Sequence, residues 1–274
     1  MAEVHHFAYG VINPVLAFIL SFLGSLLSLV LANRARARGC TGWRRARWLL
    51  LSALALGGTG IWLMHFMAML GFDVPDTLVS YDLWTTAASF LLAVGMVAVG
   101  LFVAVFTDPT AVKIAVGGIF TGIGVAAMHY TGMSALRFAG TMTFDPTLVG
   151  ASFTIAIVAA TVALWFAAVI RGASATVAAA LLMATAVCSM HYTGMSAVQI
   201  ELDPGAPPVG GGLGAFELLA PIAVLACVMI SSLAYATVGS TVRQENAQEE
   251  AMLARARELY EAAALVPAES GRHK

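Results

Sequence analysis

Seven stretches of this chain run apolar for long enough to cross a lipid bilayer. They cover roughly residues 11–32, 46–70, 83–106, 112–138, 148–170, 174–200 and 215–238. A hydrocarbon core of about 30 Å takes about 20 residues of helix. Inside lipid, every backbone N–H and C=O must find its partner within the protein, so a run of this kind folds as a helix. The expected fold class is therefore all-α, a polytopic membrane protein of seven transmembrane helices. Composition agrees: 60% of residues are hydrophobic and 11% charged, with mean hydropathy +0.87, where a soluble domain carries about 25% charged residues.

Short breaks separate the runs, and "TDPT" (107–110) and "RGAS" (171–174) place Pro or Gly at two of them. The loop "NRARARGCTGWRRAR" (33–47) holds Arg34, Arg36, Arg38, Arg44, Arg45 and Arg47. Basic loops stay cytoplasmic. Alternation then puts Lys113, Arg171 and the basic residues of the tail on the same side, and of 14 basic residues only Arg137 falls opposite. The expected location is the inner (plasma) membrane, with the N-terminus outside and the C-terminus cytoplasmic. "MAEVHHFAYG" has no positive n-region, so the first run reads as a retained helix rather than a signal peptide. Residues 241–274 read as a cytoplasmic helical tail, rich in Ala, Glu and Arg.

Several functions lose support at this point. Net charge is −1, with no basic patch interleaved with aromatics, so nucleic acid is not an expected partner. Cys40, Cys188 and Cys227 are too scattered for a disulfide framework or zinc module. The two lysines, Lys113 and Lys274, lie outside helix centres, which leaves no Schiff-base site for retinal. No GxxxxGK[ST], HExxH or GxSxG occurs, and the chain is not expected to be an enzyme.

The hexapeptide MHYTGM occurs at 128–133 and again at 190–195, and a degenerate copy, MHFMAM, stands at 64–69. The spacings are 64 and 62 residues, so His65, His129 and His191 fall on the second, fourth and sixth runs, all directed outward. Each lies 16 to 20 residues past the basic residue at its helix start (Arg47, Lys113 and Arg171). That is roughly 24–30 Å along a helix, close to the outer interface. Met69, Met133 and Met195 follow their His by four residues, on the same helix face. Met64, Met128 and Met190 precede it by one, about 100° round the helix. Gly58, Gly122 and Ala184, then Gly60, Gly124 and Ala186, recur seven and five residues before His. Small residues let membrane helices approach closely. The pattern describes three helix pairs plus one further helix.

One membrane-embedded His can be interhelical glue; three at one depth with matching Met fit that reading poorly. Imidazole and thioether together suit copper, with haem iron behind it. Tyr130 and Tyr192, next to their His, read either as hydrogen-bonding support for the site or as interface-belt residues. Cys188, three residues before His191, reads as packing rather than a thiolate ligand. The Thr, Gly and Ser that continue the repeats read as helix packing. Arg137 and Glu217, both near the outer face, read as an interfacial ion pair.

The two MHYTGM copies, the degenerate third, their alternate-helix placement and the basic first loop resemble the MHYT-domain family over roughly residues 8–240. The resemblance implies a bacterial inner-membrane sensor in which Met and His of each motif bind copper and sense oxygen, carbon monoxide or nitric oxide. On this chain those residues are Met64, His65 and Met69; Met128, His129 and Met133; Met190, His191 and Met195. The first motif reads MHF followed by Met67, so it lacks a tyrosine hydroxyl. No output domain follows residue 240, so the resemblance is to a stand-alone member whose signal needs a cytoplasmic partner. The alternative is copper transport or metal trafficking, which requires ligands spaced through the membrane. The inner halves of the helices carry no second Met-His tier.

Overall fold

The computed structural model describes residues 10–75, 77, 79–203 and 212–214, and isolated positions from 217 to 260, of which 249–258 is the longest run. Among the described residues six helices are long and apolar enough to cross a membrane: Ile12–Ala35, Gly42–Met69, Leu83–Val105, Ala111–Ser134, Pro146–Val169 and Ala173–Ser196. The seventh run, 215–238, lies for the most part outside the described residues, as do His5, His6 and most of 241–274. The chain forms two compact units, Met1–Leu233 and Ala234–Lys274; in the second, residues 249–258 are helical.

The first span is α1 (Ile12–Ala35). The second is not one α-helix. It runs as α2 (Gly42–Ala53), a ten-residue π-helix (Leu54–Leu63) and α3 (Met64–Met69). The π segment coincides with "LGGTG", where glycines lower the preference for regular α-helix. Hydropathy cannot distinguish the two helix types. The remaining spans are α4 (Leu83–Val105), α5 (Ala111–Ser134), α6 (Pro146–Val169) and α7 (Ala173–Ser196).

These helices also pack between the expected pairs. The π-helix packs on α4, α4 on α5, α5 on α6, α6 on α7, α7 on α1, and α1 back on the π-helix. The result is a ring in which the motif-bearing helices alternate with the others. Close backbone approach holds parts of it together. A Cβ on Gly24 of α1 would lie 2.3 Å from the Gly60 nitrogen, and one on Gly122 of α5 would lie 2.4 Å from Cα of Ile157. Large apolar residues such as Leu91, Phe120, Val158 and Leu182 face outward, as a lipid-facing surface requires.

At the motif end, Asp82 and Asp145 cap α4 and α6. Asp82 accepts from the Thr85 amide at 2.9 Å, and Asp145 from the Thr147 and Leu148 amides at 2.8 and 3.0 Å. The backbone N–H of each cap donates to the carbonyl six residues past a motif His: Asp82 to Ala135 and Asp145 to Ala197, both at 2.8 Å. Short antiparallel strands continue the clamp. β1 (Ser80–Tyr81) pairs with β2 (Leu136–Arg137) and β5 (Leu213–Gly214), and β3 (Gly140–Phe144) pairs with β4 (Val198–Leu202). Arg137 pairs with Asp82 at 2.7 Å, not with Glu217, whose carboxylate accepts from the Gly214 amide at 3.0 Å.

At the opposite end, arginines of the first loop tie helix ends together. Arg36 donates to the carbonyls of Ala168 and Ile170 at the close of α6. Arg45 donates to Ala35 and Phe106 at the close of α1 and α4, both at 2.9 Å. The last carbonyls of a helix have no partner within it, and guanidinium groups supply one here. The basic loop thus has a structural role.

Candidate metal centre

Each motif lies at the last turns of its helix, and alternation around the ring turns all three towards one axis. There His65, His129 and His191 meet, each at most 1% exposed. His65 Nδ1 lies 3.0 Å from His191 Nδ1 and 3.1 Å from His129 Nδ1. The three rings stand edge to face, with centroids 4.9, 5.0 and 5.2 Å apart.

The glycine of one motif makes room for the histidine of another. A Cβ on Gly132 would lie 2.5 Å from His65 Nε2, and one on Gly194 would lie 2.4 Å from His129 Nε2. Those two Nε2 atoms face backbone and have no protein partner among the described residues. The nitrogens that converge are therefore the Nδ1 atoms. A neutral imidazole offers one N–H and one lone pair. His65 Nδ1 faces two neighbours: as donor its one N–H reaches only one of them, and as acceptor its one lone pair is shared by both. A cation among the three lone pairs removes that conflict. Donors about 2.0–2.1 Å from one ion stand about 3.3–3.5 Å apart, so a few tenths of an ångström of expansion suffices. The donor set fits a metal ion, and among the described residues the three histidines form its group without a carboxylate or thiol.

The other predicted residues are placed by their burial and packing. Met69, Met128, Met133, Met190 and Met195 are buried in the main apolar cluster. Met64 lies in a smaller one with Ala17, Ala68 and Cys188, where the Cys is a packing residue. The Tyr130 ring meets His129 edge-on at 4.9 Å, and its hydroxyl bonds Ser152 of α6 at 2.7 Å. Tyr192 meets His191 in the same way, at 4.9 Å. Ser134 and Ser196 bond carbonyls of their own helices.

A small, mostly apolar cavity of about 40 Å³ is lined among others by Ile61, Val125 and Val187. Each of these is four residues before a motif His. Helical side chains lean towards the N-terminus, over the residue four earlier. The imidazoles thus lie over the turn that lines this cavity. The sequence carried the signal, a large aliphatic residue at the same offset in all three copies, beneath a far stronger general hydrophobicity.

A multi-pass helical membrane protein with a buried three-histidine centre is the class that fold and site define. Comparison narrows it. Residues 58–117 and 122–180 match the MHYT family, described as a bacterial signalling protein N-terminal repeat. The third motif lies beyond both matched segments. The chain is 36% identical over 235 residues, 82% of its length, to the bifunctional diguanylate cyclase/cyclic di-GMP phosphodiesterase MucR of Pseudomonas aeruginosa. It is 34% identical over 198 residues, 70% of its length, to the cyclic di-GMP phosphodiesterase NbdA of the same organism. The signaling protein YkoW of Bacillus subtilis is 28% identical over 214 residues, 74% of this chain and 26% of that protein. This chain belongs to the MHYT family of signalling proteins. It spans 34% of MucR and 25% of NbdA. No solved structure matches it.

Proposed function

We propose that the chain is an inner-membrane sensor that holds copper on His65, His129 and His191 and responds to a diatomic gas: oxygen, carbon monoxide or nitric oxide. The convergence of three Nδ1 atoms in a fully buried, carboxylate-free site carries the reading. Burying a charge in a low-dielectric interior is costly. A monovalent soft ion on neutral imidazoles costs least among the metals that imidazole accepts. Met69, Met133 and Met195 are the first candidates for additional donors, followed by Met64, Met128 and Met190. Tyr130 and Tyr192 orient the rings they touch. Copper is preferred over haem iron because the three Nδ1 atoms converge on one another. When bound, the ion supplies an open coordination position for the gas.

The chain's own residues do the rest. Ile61, Val125 and Val187, each one turn before a motif His, line a small apolar cavity of a size for a diatomic molecule. The Asp82 and Asp145 clamps tie α5 to α4 and α7 to α6, which gives a shift at the centre a path to those neighbours. The arginine-rich end faces the cytoplasm, where a signalling partner reads the change.

Metal analysis of the purified protein tests this. The wild type is expected to retain copper and, reduced, to bind carbon monoxide or nitric oxide. His129→Ala and His191→Ala each abolish retention in a folded protein. Normal metal content in a folded variant with all three His replaced by Ala sinks the proposal. Copper flux into vesicles that His129→Ala removes makes transport the better account.

A further inference from the structure

Helix α1 carries a polar face inside the membrane. Asn13, Ser21, Ser25 and Ser28 recur along it, all buried. Ser28 is accounted for: its hydroxyl meets that of Ser52 at 2.8 Å, and Ser52 donates to the Ser28 carbonyl at 2.9 Å. Ser21 and Ser25 are not, and neither is Thr59 of the π-helix. Each is at most 1% exposed, and none of the three hydroxyls has a protein partner among the described residues.

Thr86 of α4 is likewise unpartnered among the described residues, but many hydroxyls of these helices bond within their own helix. Thr154, Thr161, Thr176, Thr185, Ser189 and Ser196 each donate to the carbonyl four residues back, at 2.7–2.9 Å. The three orphan hydroxyls sit where α1 and the π-helix touch. Ser25 follows Gly24 and Thr59 precedes Gly60, the two glycines in backbone contact, and Ser21 is one turn of α1 from Ser25. Towards the motif end this seam is closed by Ala17, Met64, Ala68 and Cys188. Towards the arginine end it is closed by the Ser28–Ser52 pair.

We infer that Ser21, Ser25 and Thr59 line a buried site for ordered water between α1 and the π-helix. An unpaired hydroxyl in a low-dielectric interior is costly, and the usual remedy is a water making about three hydrogen bonds. A cation does not suit the site: α1, residues 42–69 and α7 contain no Asp or Glu to neutralise it. Water answers donors and acceptors alike. It bridges α1 to the helix that carries His65 without fixing one register between them. The site does not depend on a metal at the three histidines.

Radiolytic footprinting of the intact protein in nanodiscs tests this, because hydroxyl radicals made in place by an X-ray pulse modify side chains beside bound water. Met64 and Cys188, 1% and 9% exposed, are the reporters at the closed end of the seam. Met183, 4% exposed in the wall of the apolar cavity, is the dry comparator. Met64 and Cys188 are expected to oxidise roughly tenfold faster than Met183, since apolar cavities stay dry. Equal, slow oxidation of all three overturns the inference. Ser25→Ala and Thr59→Val give a second reading. With water bound they break bridging hydrogen bonds, lower the thermal midpoint and slow Met64 oxidation. With a dry seam they remove an unpaired hydroxyl and raise the midpoint, which also overturns it. Thr185→Val, at a back-bonded and exposed position, is the neutral control.

Discussion

Replacing Gly132 by Ala tests whether the motif glycine exists to seat a histidine. The new Cβ would stand 2.5 Å from His65 Nε2 and 3.0 Å from its Cδ2, whereas ordinary van der Waals contact begins near 3.4 Å. The ring must retreat by about 0.9 Å (3.4 − 2.5). It has nowhere to go, since its Nδ1 is already 3.0 and 3.1 Å from the other two. Overpacking of this kind costs about 1–3 kcal/mol. Gly194→Ala should behave alike through His129 Nε2 at 2.4 Å. Gly95→Ala and Gly150→Ala meet nothing within 4 Å and serve as controls. Reversible unfolding in mild detergent measures the loss, and imidazole nitrogen resonances report whether the three rings still meet. The decisive step is a double-mutant cycle with His65→Ala: once the ring is gone, Gly132→Ala should cost no more than Gly150→Ala. An undiminished penalty in that background, or a single variant as stable as the controls with the rings in contact, refutes the reasoning.

Gly24→Ala should be worse than Gly132→Ala, because its Cβ meets the Gly60 nitrogen at 2.3 Å and Cα at 2.6 Å, and backbone cannot turn aside; recovery of folded protein at wild-type yield would contradict this. Arg36→Gln should lower stability by about 1–3 kcal/mol through the lost charged hydrogen bonds to the end of α6, while Arg38→Gln, at an exposed position, should leave the unfolding midpoint unchanged. Asp82 is held at about 2, below its ordinary 3.8, by the Thr85 hydroxyl and amide and then by Arg137. A depressed carboxyl stabilises the fold fully above its unfolded value and loses that contribution as pH falls through the folded one. Asp82→Asn should therefore flatten the acid limb of a stability profile between about pH 4 and 2, and an unchanged limb counts against the cap and ion pair. In a background without native Cys, an impermeant maleimide applied to intact cells should label Ala2→Cys and not Ser270→Cys; the reverse pattern inverts the orientation.

The first six spans and the three histidines were legible in the sequence because both signals are local. Hydropathy sums along the chain, and the MHYTGM copies repeat one helix position. Equal depth could even be counted in residues from the basic helix starts. The interruption of the second span was not legible, because "LALGGTGIWL" is as apolar as its neighbours and hydropathy is blind to which carbonyl an amide chooses. By depth Arg137 was expected to pair with Glu217, and strand register set it against Asp82 instead.

What only tertiary structure decided is direction. Whether three histidines at one level meet or point apart depends on the azimuth of each helix. That azimuth is set by contacts between residues distant in sequence: Gly24 on Gly60, Gly122 on Ile157, and the alternation of helices around the ring. The choice of Nδ1 over Nε2 has the same origin, since Nε2 of His65 and His129 is turned onto the glycines of the next motif. The sequence by itself determined which groups lie in the membrane and at what height, because lipid imposes that on each helix separately. Which atoms face one another was left to the packing, because only the closed ring relates one helix to another.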